Sequence, residues 1–309
     1  MNSLWRKDLM NKEIVVIGTV YVDIKGYPIS NYVPTGRNAG FIEQFHGGVG
    51  RNIAEDIANM GEKVAMVGLV DKGGIGADVV AHLNHQGVNT LGLRAVEDGM
   101  GTWLAIFDEQ GNISANISKR PNLLPIVDVL EECGDALFAN AQGILLEIDV
   151  EEPIVAKTFA LAEKYGVDVY AVISNINIAM ERFAYIQKSK CFVINRQEAG
   201  VFFGIDEQGK TKEEMLALVK AGLVDKKLDA MVVTMDADGS VYASVSGEEG
   251  MCEAEKVDVV DTTGAGDSFF AGFATALCQG KTMAEACALG TKIASRVISY
   301  KDNVYKEDL

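Results

Sequence analysis

The feature that most constrains this chain is its repeated alternation of short apolar runs with longer amphipathic segments. Glu13–Gly18, EIVVIG, reads as a buried strand. Arg51–Asn59 has helical periodicity and stops at Gly61, Lys63–Gly68 is again strand-like, and Ile75–Gln86 is a helix closed by Gly87. Further strands follow near 143–146, 168–172, 191–194 and 230–234, with helices near 153–165, 211–222, 265–279 and 283–298. Strands joined through helices pair parallel. The pattern therefore predicts an α/β fold, a central mostly parallel sheet flanked by helices on both faces. With 309 residues, 48% of them hydrophobic, the chain can bury a large core.

Two segments break the alternation. Tyr21–Phe45 has no helix of its own and carries prolines at 28 and 34. Thr102–Ser118 reads as a hairpin: WLAIF, a turn at Asp108–Asn112, then ISANIS. If strands from both pair, they form a small β-sheet projecting from the main body as a lid over a site. The chain then divides into an α/β core (1–22, 47–97 and 120–309) and a β lid (23–46 and 98–119). Two unrelated surface excursions are the alternative. Apolar residues on the hairpin, among them Trp103, Leu104 and Ile106, suggest a homodimer formed lid against lid.

A net charge of −16 argues against a nucleic-acid binder, whose affinity rests on a basic surface. It leaves room for a local nucleotide site. Five cysteines (Cys133, Cys191, Cys252, Cys278, Cys287) without a CxxC pair point away from a disulfide framework or zinc site and towards a reducing cytoplasm. No apolar run has membrane-spanning length, and MNSLWRKDLMNKE lacks the apolar core of a signal peptide. Met10 is an alternative start, which would leave the preceding residues as a disordered tail.

The chemistry concentrates in Asp261-Thr262-Thr263-Gly264-Ala265-Gly266-Asp267-Ser268-Phe269-Phe270-Ala271-Gly272, which follows a strand-like run, Lys256–Val260. Its glycines let backbone approach a ligand, and the helix it opens offers first-turn N–H groups and a favourable dipole to an anion. Asp267, in the first turn, faces the same space, where a carboxylate suits deprotonation of an attacking hydroxyl. Turn chemistry alone leaves open a glycine-rich strand-to-helix turn capped by an aspartate. Gly280-Lys281-Thr282 is not a P-loop, since Thr275 stands where the earlier glycine is required. Ile53 likewise breaks a dinucleotide fingerprint at Gly48 and Gly50. His82 and His85 share a helix without a third metal ligand and read as a solvated face. His46 reads either as a loop surface residue or as a substrate contact.

DTTGAGDSFFAG resembles the C-terminal signature of the ribokinase-like (PfkB) carbohydrate kinase family, and Gly47–Ala54, GGVGRNIA, resembles its N-terminal glycine-rich signature. The resemblance runs from the strand ending at Gly18 to the last helix. It implies an ATP-dependent kinase acting on a small sugar or sugar-containing metabolite. It also implies roles. Asp23 would grip sugar hydroxyls, Gly47 and Gly48 would offer backbone amides, and Asn52 a side-chain amide. Asn195 and Glu198 would match the NxxE motif that organises Mg2+ through water. Gly264, Ala265 and Gly266 would form the anion hole, and Asp267 would be the base. Thr234 and Gly239 would contact the nucleotide in a TxGxxG-like turn, where Asp236 replaces the first glycine. The backbone around Asp261 and Thr263 would hold a monovalent cation such as K+. Taken alone, Asp23 reads as a strand-end turn residue, Gly47–Gly50 as a tight turn, and Asn195 with Glu198 as an N-cap and its capping-box partner.

Within the family, GGVGRNIAEDIANMG and the context of Asp23 look closest to the pseudouridine kinase branch, which favours a ribosyl or nucleoside acceptor. Ribokinase- or fructokinase-like specificity is the alternative. A non-catalytic sugar- or nucleotide-responsive binding protein is the reading of another class. The base of a nucleoside would need a wall from residues near Phe41, His46 and Trp103.

Overall fold

The computed structural model describes residues 12–306. The alternative start at Met10 and the segment before it lie outside the described residues.

From the N-terminus the elements are β1 (Glu13–Ile17), β2 (Tyr21–Pro28), β3 (Gly40–Gly47), α1 (Val49–Asn59), β4 (Val64–Asp71), α2 (Gly74–His85), β5 (Asn89–Val96), β6 (Gly101–Phe107) and β7 (Ile113–Lys119). There follow α3 (Ile126–Ala139), β8 (Ala141–Glu147), α4 (Glu152–Tyr165), β9 (Val169–Val172), α5 (Ile176–Glu181), α6 (Phe183–Ile186), β10 (Cys191–Asn195) and α7 (Arg196–Phe203). The chain closes with α8 (Lys212–Lys226), β11 (Ala230–Thr234), β12 (Ser240–Ser244), β13 (Glu249–Cys252), α9 (Ala265–Cys278) and α10 (Met283–Val297).

The main sheet has nine strands in the order β13-β12-β11-β10-β9-β8-β1-β4-β5. All pairs from β11 to β5 are parallel, and an antiparallel β12–β13 hairpin adds one edge. The fold is the expected mostly parallel sheet flanked by helices. Alternate residues of β1 feed two cores. Val15 and Ile17 pack with α3, α4, α7 and α8 on one face, and Ile14 and Val16 pack with α1, α2, α9 and α10 on the other.

The two interrupting segments do pair. They build a separate four-stranded sheet, β3-β2-β6-β7. β2 runs antiparallel to β3 and parallel to β6, with Asp23 beside Phe45 and Trp103. β7 returns antiparallel to β6.

The run Lys256–Val260 is not a strand. Val259 and Val260 are 60% and 53% exposed, and the Val260 amide donates to the Ile298 carbonyl at 2.8 Å instead of to a neighbouring strand. No helix among the described residues is long and apolar enough to cross a membrane. All five cysteines are free thiols.

Candidate active site

Where β1 and β8 end and the second sheet begins lies a cleft of about 240 Å³. It is lined by Thr19, Tyr21, Asp23, Gly48, Val49, Asn52, Trp103, Ser118, Arg120, Glu147, Ser174 and Asp267. It opens at the carboxyl end of the parallel strands, where open α/β sheets place their ligands. A larger and more open depression, about 540 Å³, lies beside Lys256, Val257, Asp258 and Ser299.

The centre of the cleft joins the two signature segments. Asn52, on the first turn of α1, donates from Nδ2 to Asp267 Oδ2 at 2.7 Å, and its own Oδ1 is buried without a partner among the described residues. Asp267 stands in the first turn of α9, whose N-cap, Gly264, supplies no side-chain cap. Gly264 has φ 82°, and a Cβ there would stand 2.2 Å from the Asn303 carbonyl oxygen, so only glycine fits. Around Gly266 the space is open. The Ala265 amide donates to the Thr262 carbonyl at 3.2 Å, and the other first-turn amides, which a helix leaves without internal acceptors, face room for an anion. Burial pushes the Asp267 carboxyl up to about 6; the Asn52 amide and the Arg51 guanidinium pull it down, and the Asp23 carboxylate pushes it up.

Asp23 is buried, and burial raises its carboxyl above the ordinary range although Arg51 and Lys25 oppose this. Its two oxygens would lie 2.6 Å from a Cβ at Gly47, so a side chain at Gly47 would displace the carboxylate. Gly48, with φ 98°, turns the chain into α1. Beneath this loop Arg51 is fully buried. It donates to Glu55 Oε2 at 2.8 Å, to Asn303 Oδ1 at 3.3 Å and, closely, to the His46 carbonyl. Asn303 Nδ2 donates to that same carbonyl at 2.9 Å. Arg51 therefore braces the glycine loop from below.

His82 and His85 lie on a partly solvated helix face, as the sequence suggested, but His82 also has a buried partner. Its Nε2 lies 2.7 Å from Glu55, and that carboxylate holds the imidazole above its ordinary value against burial. His46 is 3.0 Å from Asp78, and neither His46 nor Phe41 lines the cleft. Of the three residues expected near a base, only Trp103 lines it.

Asn195 and Glu198 form a reciprocal capping box at α7. Asn195 Oδ1 accepts from the Glu198 amide at 2.8 Å, and Glu198 Oε2 accepts from the Asn195 amide at 2.8 Å. One Glu198 oxygen is left over, and the carboxyl is raised by burial and by nearby Asp149 against the Asn195 amide. Among the described residues no group of three or more His, Cys, Asp or Glu forms a direct metal cage. Thr234 ends β11, and a short 3₁₀ turn, Asp236–Asp238, leads to Gly239. Asp236 adopts φ 51° and Gly239 φ 89°. The departure from glycine at 236 is thus carried by an aspartate in a left-handed conformation, which Asp tolerates better than most residues. Arg196 pairs closely with Asp238 and ties this turn to α7.

The sequence reading missed three groups. Glu147 and Asp149 follow the apolar run of β8 without any motif to flag them. Glu147 Oε2 accepts from the Thr19 amide at 2.8 Å and the Thr19 hydroxyl at 2.9 Å. Burial and Asp149 push its carboxyl up to about 7. Ser174 donates its hydroxyl to Asp149 at 2.7 Å, and Arg120 lies 3.8 Å from the same carboxylate. The third is Lys25, whose Nζ donates to Asp261 Oδ2 at 3.2 Å. The only signal was position, at the end of a buried strand or two residues beyond Asp23 on a strand of period two.

Residues 11–307 match the pfkB family carbohydrate kinase model. The chain is 32% identical over 299 residues to the guanosine-inosine kinase of Exiguobacterium acetylicum, covering 95% of this chain and 96% of that one. It is 28% identical over 290 residues to the pseudouridine kinase of Escherichia coli K12, covering 93% and 90%. Among solved structures, Arabidopsis thaliana ribokinase complexed with ribose and ATP superposes with a TM-score of 0.83 at 20% identity, over 96% of each chain.

Proposed function

The chain belongs to the pfkB family of carbohydrate kinases and is an ATP-dependent kinase; from that premise we propose that its acceptor is a nucleoside, phosphorylated on a hydroxyl of the ribosyl part. The likeness to a guanosine-inosine kinase over nearly the full length carries this reading, and it sets purine nucleosides beside the pseudouridine that the glycine-loop resemblance favoured. Tyr21 and Trp103 on the cleft wall offer flat surface and hydrogen bonds to a base.

In the mechanism we derive, Asp23, the amides at Gly47 and Gly48, and Asn52 hold the ribosyl hydroxyls. Asp267 accepts the proton of the attacking hydroxyl as its oxygen bonds to the γ-phosphorus and the bond to the β-phosphate oxygen breaks. ADP leaves. The amides of Gly264, Ala265 and Gly266 meet the charge on the transferred phosphoryl group. Thr234 and Gly239 flank the nucleotide. The free oxygen of Glu198 fits a magnesium ion held through its waters, with Asn195 fixing the orientation of Glu198. Magnesium would neutralise the triphosphate. The second sheet (23–46 and 98–119) acts as a lid that excludes water from the phosphoryl group, and its outer face is covered by a second copy of the chain.

A panel of guanosine, inosine, pseudouridine, uridine, ribose and fructose, each assayed with MgATP, tests the acceptor. A site built to bind a base leaves polar groups unpaired when the base is missing, so kcat/KM should favour some nucleoside by at least about tenfold over both free sugars. Ribose or fructose outrunning every nucleoside overturns the reading.

A further inference from the structure

The family resemblance implies a monovalent cation at Asp261 and Thr263, and the residues around Asp261 do not fit one. Both carboxylate oxygens are engaged. Oδ1 accepts from the Thr263 amide at 2.9 Å and from the Thr263 hydroxyl at 2.7 Å. Oδ2 accepts from Lys25 Nζ at 3.2 Å. The Lys25 side chain is 7% exposed, and its ammonium also lies 5.2 Å from the centre of the Phe45 ring. A unit positive charge therefore already sits on Asp261, beside the backbone that would take the ion. A second cation beside the same carboxylate would be repelled by the ammonium. One positive charge excludes the other, and the tethered one carries no cost of capture from solution.

The two partners come from different parts of the fold. Lys25 is on β2 of the second sheet, two residues along the same face from Asp23. Asp261 opens the loop that leads through Gly264 into α9 and Asp267. The Asp261 amide lies 3.4 Å from the Ile298 carbonyl, and the Val260 amide is 2.8 Å from it, so this carbonyl at the end of α10 is also taken. We propose that the Lys25 ammonium is this kinase's built-in monovalent cation: it neutralises Asp261 and orders the Asp261–Gly264 loop without K+. Because the charge arrives on a strand of the second sheet, the shape of the anion hole is coupled to the position of that sheet. Lys25 acts through Asp261 and is a positioning residue.

The test compares the wild type with Lys25→Met and Lys25→Arg in KCl, NaCl and choline chloride at matched ionic strength. Thermal midpoints and MgATP binding are read alongside turnover, so the outcome does not depend on which acceptor is right. Wild type and Lys25→Arg should be indifferent to the salt, with turnover constant within about twofold. Lys25→Met should lose about tenfold or more in choline. KCl should restore most of that loss saturably and raise the midpoint of this variant alone. Wild-type turnover stimulated tenfold by K+ overturns the proposal, and this measurement stands even where Lys25→Met fails to fold. A folded Lys25→Met whose loss no cation repairs overturns it as well, and assigns the lysine to the transferred phosphoryl group instead.

Discussion

Asp267 and Asn52 meet across 215 residues of sequence at 2.7 Å, on the wall of the cleft. Asp267→Asn removes a proton acceptor at constant size. Turnover should fall by at least about 10²-fold with MgATP binding largely kept, as steady-state kinetics and titration calorimetry would report. In the wild type, kcat/KM should climb with pH through about 6, where the raised carboxyl ionises, and then level off. A second carboxyl makes a separate claim about stability. Burial pushes Asp56 up to about 8, while its Oδ1 accepts from the Tyr305 amide at 2.6 Å. Its folded value lies above its unfolded one, so folded protein holds the extra proton between roughly pH 4 and 8. The stability it contributes is complete below that window and is lost as pH rises through it. Asp56→Asn keeps an acceptor for Tyr305 and cannot ionise. The drop in thermal midpoint from pH 5 to pH 8 should therefore shrink in the variant, and an unchanged drop would count against a protonated Asp56. Asn52 and Asp267 were legible because each sits in a short contiguous signature. Glu147, Asp149 and Lys25 were not, because their partners are distant in sequence; the Lys25–Asp261 contact spans 236 residues. Asn195 and Glu198 were ambiguous for another reason, since an N-cap pair and a water-mediated metal site call for the same residues at the same spacing.

At the level of elements, the site is positioned by how closely helices approach. α9 and α10 cross where a Cβ on Gly272 would lie 3.0 Å from the Gly290 Cα, and a Cβ on Gly290 would lie 2.6 Å from the Phe269 carbonyl oxygen. Gly290→Ala must push α9 away from α10. The expected cost is about 1–3 kcal/mol of stability, read by chemical unfolding. Because Asp267 rides on α9, turnover should fall more than MgATP affinity does. A variant with parent-like stability would show that the helices yield locally. Periodicity made the buried parallel strands and most of the long helices legible, since a continuous apolar run or a one-sided stripe is fixed by which face is buried, though α3 (Ile126–Ala139) was missed. β5 was missed because its burial is mixed along its length. The β12–β13 hairpin was missed because one antiparallel edge interrupts the expected alternation. Lys256–Val260 misled in the other direction: it has strand-like composition, but Val260 bonds to Ile298 at the end of α10.

At the scale of the whole molecule, the second sheet has one face towards the site and one towards solvent. Asp23 and Lys25 point to the site face, and Ile24 between them lies on the opposite face, half-buried against the core at the base of the sheet. Register carries the outward row across the sheet: Ile24 lies beside Leu104, Leu104 opposite Ile117, and Gly26 beside both Ile42 and Ile106. Ile42 is 80% exposed, Ile117 69% and Leu104 39%, a contiguous apolar band on a small sheet. Trp103, which the sequence grouped with this band, turns the other way and lines the cleft. A band of this kind gains from being covered, and a second copy of the same sheet offers a self-complementary partner around a two-fold axis. The 33.2 kDa chain should then sediment at twice its mass at micromolar concentration. Ile42→Asp combined with Ile117→Asp places like charges on both edge strands of such an interface and should give a monomer. The same sheet holds Asp23 on its reverse side, on β2, so a sheet left uncovered should hold the acceptor less firmly. KM for the acceptor should rise several-fold, with KM for MgATP moving less, because the nucleotide side is built on the main sheet. A wild type that sediments only as a monomer at micromolar concentration would remove the dimer, and a monomeric variant with unchanged acceptor KM would remove the link between assembly and binding.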